Sequence, residues 1–200
     1  MAERVTFTSV IQNRGFLNLW INQILVQLSY NALNFALIIW VFKLTGSNTA
    51  VATLLFFIYL PAVILGLFTG VLVDLINKKK IIMTIDILLC LLFLSLIFLK
   101  VFYPAILVIA FLINALSQFY APTEASAIPM IVKRKQLIAA NSIISATLYT
   151  TFLVGFGLSG FLINHFGINF VFLMGALILF IAFGLSFLPT PLQIWHVWDF

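Results

Sequence analysis

Six long apolar runs, separated by short polar connections, constrain this chain more than any other feature of its sequence. The run at residues 50–73 contains no charged residue and is long enough to cross a hydrocarbon layer about 30 Å thick as a helix. Five further runs have comparable length, so we predict an all-α membrane protein. The six predicted spans are residues 16–42, 50–73, 81–102, 105–128, 138–163 and 170–188.

The composition excludes several other classes of protein. Hydrophobic residues make up 64% and charged residues only 8% of the 200 residues, which would leave a soluble domain with a largely apolar surface. The basic residues lie in short clusters between apolar runs, which argues against a nucleic-acid partner. Cys90 stands alone, so no internal disulfide framework is expected. His165 and His196 lack neighbouring ligand residues, and no nucleophile motif is present; we therefore expect no metal, no cofactor and no enzymatic activity.

The distribution of basic residues predicts the orientation of the spans. Two of them, Lys43 and Lys100, fall on the side opposite the N-terminus. The positive-inside rule then places both termini in the cytoplasm of a multi-pass protein in the cell membrane. The first span is too long for a signal peptide, so we expect it to be retained. The basic residues on the N-terminal side are Arg4, Arg14, Lys78, Lys79, Lys80, Lys133, Arg134 and Lys135.

The connection between the second and third spans carries an acid followed by three lysines. Its tightness predicts a close helix contact at Gly70, a left-handed conformation at Asn77 that ends a helix, and lysines in water. Asp74 lies near a helix C-terminus, where an acid costs about 0.3 to 1 kcal/mol unless it has a partner. Lys78 and Lys79 complete the pattern.

This pattern resembles the loop signature of the major facilitator superfamily, in which an aspartate and basic residues follow a glycine. Leu75 replaces a basic residue of that signature, and Asn77 replaces a glycine. A generic positively charged loop is the alternative interpretation. Other stretches look like the macrolide-efflux and siderophore-exporter branch of that family: residues 14–20, 44–47, 119–122 and 140–141.

An internal repeat agrees with this resemblance. The segment from Gly160 to Gly167 echoes the segment from Gly70 to Asn77 at a constant offset. Three spans separate the copies, so the second copy lies on the opposite side of the membrane. We therefore predict a three-plus-three inverted repeat, which forms half of a facilitator fold.

Polar residues inside the spans are costly in lipid and should face a bundle interior or a cavity. Five of them fall on one side of the first span, and three fall on one face of the fourth. The resemblance implies that these two helices line a central cavity for substrate. The alternative is that the amides only join helices through hydrogen bonds. The residues are Gln23, Gln27, Tyr30, Asn31 and Asn34 in the first span and Asn114, Ser117 and Gln118 in the fourth.

Two acids lie near the cytoplasmic ends of spans. Asp86 in the third span and Glu124 in the fourth could each carry a proton for coupling. Each could instead form an ion pair with the lysine clusters at 78–80 or 133–135. We favour ion pairing, and we expect no proton-coupling site in this half because the first and fourth spans lack the acid and arginine common in facilitator antiporters.

The glycine pattern at residues 155–160 matches the spacing of a dinucleotide-binding loop. No strand precedes it and no acid follows at the required distance, so we reject that reading. It looks like a degraded antiporter motif of drug exporters, with Phe156 in place of proline. Close helix packing through Gly155, Ser159 and Gly160 is the interpretation that we adopt.

The resemblance implies the N-terminal half of a secondary transporter that moves a small organic solute, by export, through alternating access. A self-contained six-span channel or a structural membrane protein is the alternative. We expect a second six-helix half, separately encoded or supplied by a homodimer, and no nucleic-acid partner. The expected divisions are a cytoplasmic segment at 1–15, a transmembrane domain at 16–188 and a cytoplasmic tail at 189–200, which begins an interdomain linker or marks a truncation.

Overall fold

The computed structural model describes residues 7–188, and within that range the chain forms helices and no strand. Arg4, His196 and the predicted tail at 189–200 lie outside the described residues. A helix of five residues, which we had not predicted, precedes six long ones. The helices are α1 (Phe7–Ile11), α2 (Arg14–Thr45), α3 (Asn48–Asp74), α4 (Lys78–Leu99), α5 (Tyr103–Ile131), α6 (Leu137–Phe166) and α7 (Ile168–Leu185).

The helices from α2 to α7 are each long and apolar enough to cross a membrane, which confirms the predicted fold class. Their ends follow local chemistry. The Asn13 side chain accepts from the backbone N–H groups of Gly15 and Phe16 and so caps α2. Gly46 ends α2 in the left-handed conformation, and the Ser47 side chain then caps α3.

Contacts between helix ends show that the connections alternate between two sides of the bundle. On the N-terminal side, the Asn13 amide donates to the Ile131 carbonyl at 2.9 Å. On the opposite side, the Trp40 indole donates to the Lys100 carbonyl at 2.8 Å and the Tyr103 hydroxyl donates to the Ala50 carbonyl at 3.0 Å. This is the up-and-down arrangement that six consecutive spans require.

The helix pairing has the symmetry of an inverted repeat. The two most extensive interfaces are α3 with α5 and α2 with α6. In the two triplets of spans, α2 corresponds to α5 and α3 corresponds to α6, so each of these interfaces is the repeat-related copy of the other. The interfaces of α2 with α7 and of α4 with α5 form a second such pair. The structure is therefore consistent with half of a facilitator fold.

Burial is uneven among the six spans. Close packing joins α4 to α7, where a Cβ atom added at Gly175 would meet the Phe93 ring at 2.5 Å. By contrast, α3 and α6 are the least buried spans. Leu67 on α3 is 86% exposed and Tyr149 on α6 is 73% exposed. The repeat-related second and fifth spans thus both present open apolar faces.

Candidate functional site

The polar residues of the first and fourth spans meet at the contact between α2 and α5. The Tyr30 hydroxyl donates to the Asn114 side-chain oxygen. The Asn114 amide in turn donates to the Asn34 side-chain oxygen at 3.2 Å and to the Ala110 carbonyl at 2.8 Å. We call Tyr30, Asn34 and Asn114 the amide cluster. Its mutual hydrogen bonds satisfy polar groups that lipid could not.

The remaining polar residues of the predicted stripe face in two directions. Gln23 is fully buried and donates to the Ile144 carbonyl of α6 at 3.3 Å, while Asn31 packs against Gly155 of the same helix. Gln27, Ser117 and Gln118 are half-buried. Gln118 donates to the Asn114 carbonyl at 3.5 Å, and Gln27 lies about one turn before Tyr30 on α2. The stripe therefore divides into two residues that pack against α6 and a second group that lies on the side of α5.

A second polar network joins four helices and lies closer than the amide cluster to the N-terminal side of the bundle. The Asn22 amide donates to Asp86 Oδ2 at 2.8 Å and to the Ala182 carbonyl at 3.0 Å. The Asn22 oxygen accepts from the Tyr120 hydroxyl at 2.7 Å, and the Ser186 hydroxyl donates to Asp86 at 3.2 Å. We call Asn22, Asp86, Tyr120 and Ser186 the carboxyl network. It holds a fully buried acid with neutral hydrogen-bond donors.

Within residues 7–188, Asp86 and Glu124 do not form the expected ion pairs. Asp86 is 0% exposed and Glu124 is 3% exposed. Asp86 Oδ1 and Glu124 Oε1 have no hydrogen-bond partner within the part of the chain that the structure describes. The favoured pairing was wrong: Lys78 and Lys79 donate to backbone carbonyls instead. Two buried acids without a basic partner among the described residues are unusual in a membrane interior, so this region is a candidate functional site.

Sequence analysis had missed Asn22, Tyr120 and Ser186. Comparing how far each polar residue lies along its helix could have identified Asn22. Both α2 and α4 start on the same side of the bundle, at Arg14 and Lys78. Asn22 and Asp86 each lie eight residues beyond those starts, and therefore at the same depth in the membrane. Tyr120 and Ser186 gave no such signal. Their roles depend on how α5 and α7 are rotated in the bundle.

The loop signature departs from the expected geometry at three positions. Asn77 has a φ of −61° and caps the start of α4 by accepting from the Lys80 backbone N–H, so it does not end α3 in a left-handed conformation. Gly70 has no atom of the described chain within 4 Å of an added Cβ, so the expected close contact is absent from this range. Lys79 is buried and not in water.

Two lysines of this loop stabilise helix C-termini. Lys78 Nζ donates to the Val73 carbonyl at 2.9 Å and the Asp74 carbonyl at 3.0 Å, where a cation is favoured by the helix dipole. Lys79 Nζ donates to the Leu188 carbonyl at 3.0 Å, just beyond α7. The Asp74 carboxylate is exposed and accepts no hydrogen bond from residues 7–188.

The glycine pattern lies inside α6, with no strand before it in the described chain. A Cβ atom added at Gly155 would lie 2.9 Å from Asn31 Cβ and 3.1 Å from the Ala32 nitrogen. Ser159 is fully buried, and an added Cβ at Gly160 would touch Phe35 at 3.8 Å. These three positions therefore lie where α6 approaches α2.

The comparison with protein families agrees with this architecture. The family model described as Major Facilitator Superfamily matches residues 19–196. The chain therefore belongs to the major facilitator superfamily, and it is a membrane transporter of that kind. Searches of curated proteins and of solved structures gave no match.

Proposed function

We propose that this chain is the N-terminal six-helix half of a secondary transporter that exports a small organic solute by alternating access. The observation that carries the proposal is the meeting of α2 and α5 through polar side chains. These helices are repeat-related, and solute sites of such transporters lie near the midplane between repeats. Half-buried Gln27, Ser117 and Gln118 supply polar groups beside the amide cluster.

The proposed solute is hydrophobic, with a few hydrogen-bonding groups. Aromatic side chains line the approach between α2 and α6, where the Phe35 and Phe156 rings lie 4.9 Å apart. Apolar walls with a small number of polar groups are typical of small-molecule sites. The resemblance to macrolide and siderophore exporters supports this solute class and the outward direction. The proposed location is the cell membrane, with both termini in the cytoplasm, as the basic residues indicate.

A second six-helix half is part of the proposal. Its proposed contact surface is the open faces of α3 and α6, which we call the half interface. Gly70 and Asp74 belong to it: the glycine leaves open space and the carboxylate has no partner in residues 7–188. A helix N-terminus from the second half would offer free N–H groups to Asp74.

Transport assays with matched variants test this function. Energised inside-out membrane vesicles from cells that make the protein should accumulate a macrolide, a catechol siderophore or a lipophilic cationic dye above vesicles that lack it. Gln27→Ala should lower that accumulation, because it removes a polar group beside the amide cluster. Gln12→Ala, the same change outside the spans, should not. Single-channel conductance, or no gradient-dependent movement of any of the three solutes, would contradict the proposal.

A further inference from the structure

Two apolar recesses lie end to end on the outer surface of the bundle. One has a volume of about 370 Å³ and is bounded by α3, α4 and α5; the other has a volume of about 250 Å³ and lies between α4 and α5. Leu116 and Phe119 line both. The space exists because α3 and α4 each pack against α5 but barely touch one another. We call the continuous recess the α3/α4 groove.

The groove has the length of one membrane leaflet. Along α4 its wall runs from Lys80 to Leu92, which at a rise of 1.5 Å per residue is about 18 Å. Half of a hydrocarbon core is about 15 Å thick. The walls are apolar apart from two residues at the end near the loop. The apolar residues that line it include Leu72, Ile81, Ile85, Leu88, Leu112 and Leu116.

The two polar residues of the groove are Lys80 and Thr84. They are one helical turn apart and so lie on the same face of α4. Lys78 and Lys79 donate to backbone carbonyls, whereas the Lys80 ammonium has no partner among the described residues. Thr53, Thr123 and Thr150 each donate to a carbonyl one turn earlier.

Thr84 differs from those threonines because its exposed hydroxyl makes no hydrogen bond with any residue in the range 7–188. A free ammonium and a free hydroxyl thus stand together at the loop end of an apolar groove. Their chemistry suits a phosphate group that is attached to an alkyl chain. An inorganic anion would use only the polar end and would leave the apolar length of the groove unexplained.

We propose that the α3/α4 groove binds a phospholipid with an anionic headgroup. One acyl chain lies along α4 and α5, past Leu116 and Phe119. The phosphate accepts hydrogen bonds from Lys80 and Thr84. In the proposed orientation this is the cytoplasmic leaflet, where anionic lipids are attracted by clustered basic residues.

Photo-crosslinking in bilayers tests the proposal without a transport assay. The full chain is reconstituted with phosphatidylglycerol or phosphatidylcholine that carries the same photoreactive acyl chain, and the labelled peptides are mapped. We expect several-fold more labelling by phosphatidylglycerol, with labels near Leu92 and Leu112. Equal labelling by the two lipids, or labels spread over all six spans, would overturn the proposal.

Variants separate the two parts of the site. Lys80→Gln should abolish the preference for phosphatidylglycerol, whereas Lys135→Gln, which removes an exposed lysine outside the groove, should retain it. Ala115→Trp should reduce labelling by both lipids because it fills the groove. Thermal unfolding of each variant checks that it is folded. An equal loss of preference in Lys80→Gln and Lys135→Gln would mean general charge attraction and would contradict a built site.

Discussion

The Asn22 amide donates a 2.8 Å hydrogen bond to the fully buried Asp86 carboxylate and so joins the first span to the third. Tyr120 and Ser186 attach the fourth span and the end of the sixth to the same pair. No lysine takes part, although three lie in sequence just before Asp86. Neutral donors hold this acid, and we expect the stability of the bundle on the N-terminal side to depend on them.

Asn22→Ala should therefore destabilise the protein by about 1–3 kcal/mol, because it leaves Asp86 and Tyr120 with unsatisfied buried groups. Asp86→Asn should cost less, since it keeps an acceptor oxygen for Asn22. Thermal unfolding in detergent, followed by intrinsic fluorescence, gives the comparison. The matched control is Asn18→Ala, one turn earlier on α2 and half-buried; an equal loss in this variant would refute a special role for Asn22.

Gly155→Ala should weaken the packing of α6 against α2. The added methyl group would lie 2.9 Å from Asn31 Cβ and 3.3 Å from the Leu28 carbonyl, and overpacking of this kind costs about 1–3 kcal/mol. Gly157→Ala, two residues along the same helix, has nothing within 4 Å and should be neutral or stabilising by up to about 1 kcal/mol. Equal melting temperatures for the two variants would show that α6 and α2 have room for an added methyl group at Gly155.

Solvent access should differ along the polar stripe of α2. In a Cys90→Ala background, Gln27→Cys should react with a water-soluble thiol reagent, because Gln27 is half-buried beside the amide cluster. Asn31→Cys should react slowly, since Asn31 packs against Gly155. Leu33→Cys is the buried control. Equal unreactivity at all three positions would mean that the amides are packing contacts and not a cavity wall.

Asp74→Ala should weaken association with the second half. The carboxylate lies at the C-terminal end of α3, where the helix dipole disfavours it by about 0.3–1 kcal/mol. Its removal should therefore not lower the stability of the isolated bundle. Chemical crosslinking in membranes, with Asp199→Ala as the control acid, measures the association. Unchanged crosslinking with Asp74→Ala would place the contact elsewhere.

The six spans could be predicted to within a few residues because the length of each apolar run defines them. The region around Gly46 illustrates the limit of that signal. The predicted spans left residues 43–49 as a connection, yet α2 continues to Thr45 and α3 starts at Asn48. A left-handed Gly46 and the capping Ser47 compress the connection into two residues. Cap chemistry, and not hydropathy, sets such boundaries.

Hydrogen-bond partners could not be predicted, because they depend on how each helix is rotated. Asp86 had charged lysines nearby in sequence and uncharged Asn22 far away, and only the packed bundle brings Asn22 to it. The prediction for Asn77 was wrong for a local reason. Asparagine tolerates a left-handed conformation but also caps helix N-termini, and here Asn77 caps α4.

The central claim is that this bundle is one half of a transporter that acts only when paired. The most direct test is the particle mass of the protein purified in mild detergent, measured by light scattering together with dye flux after reconstitution. We predict that flux is found only in particles of at least twice the 22.4 kDa mass of the chain. A stable 22.4 kDa monomer that moves the dye by itself would contradict the claim.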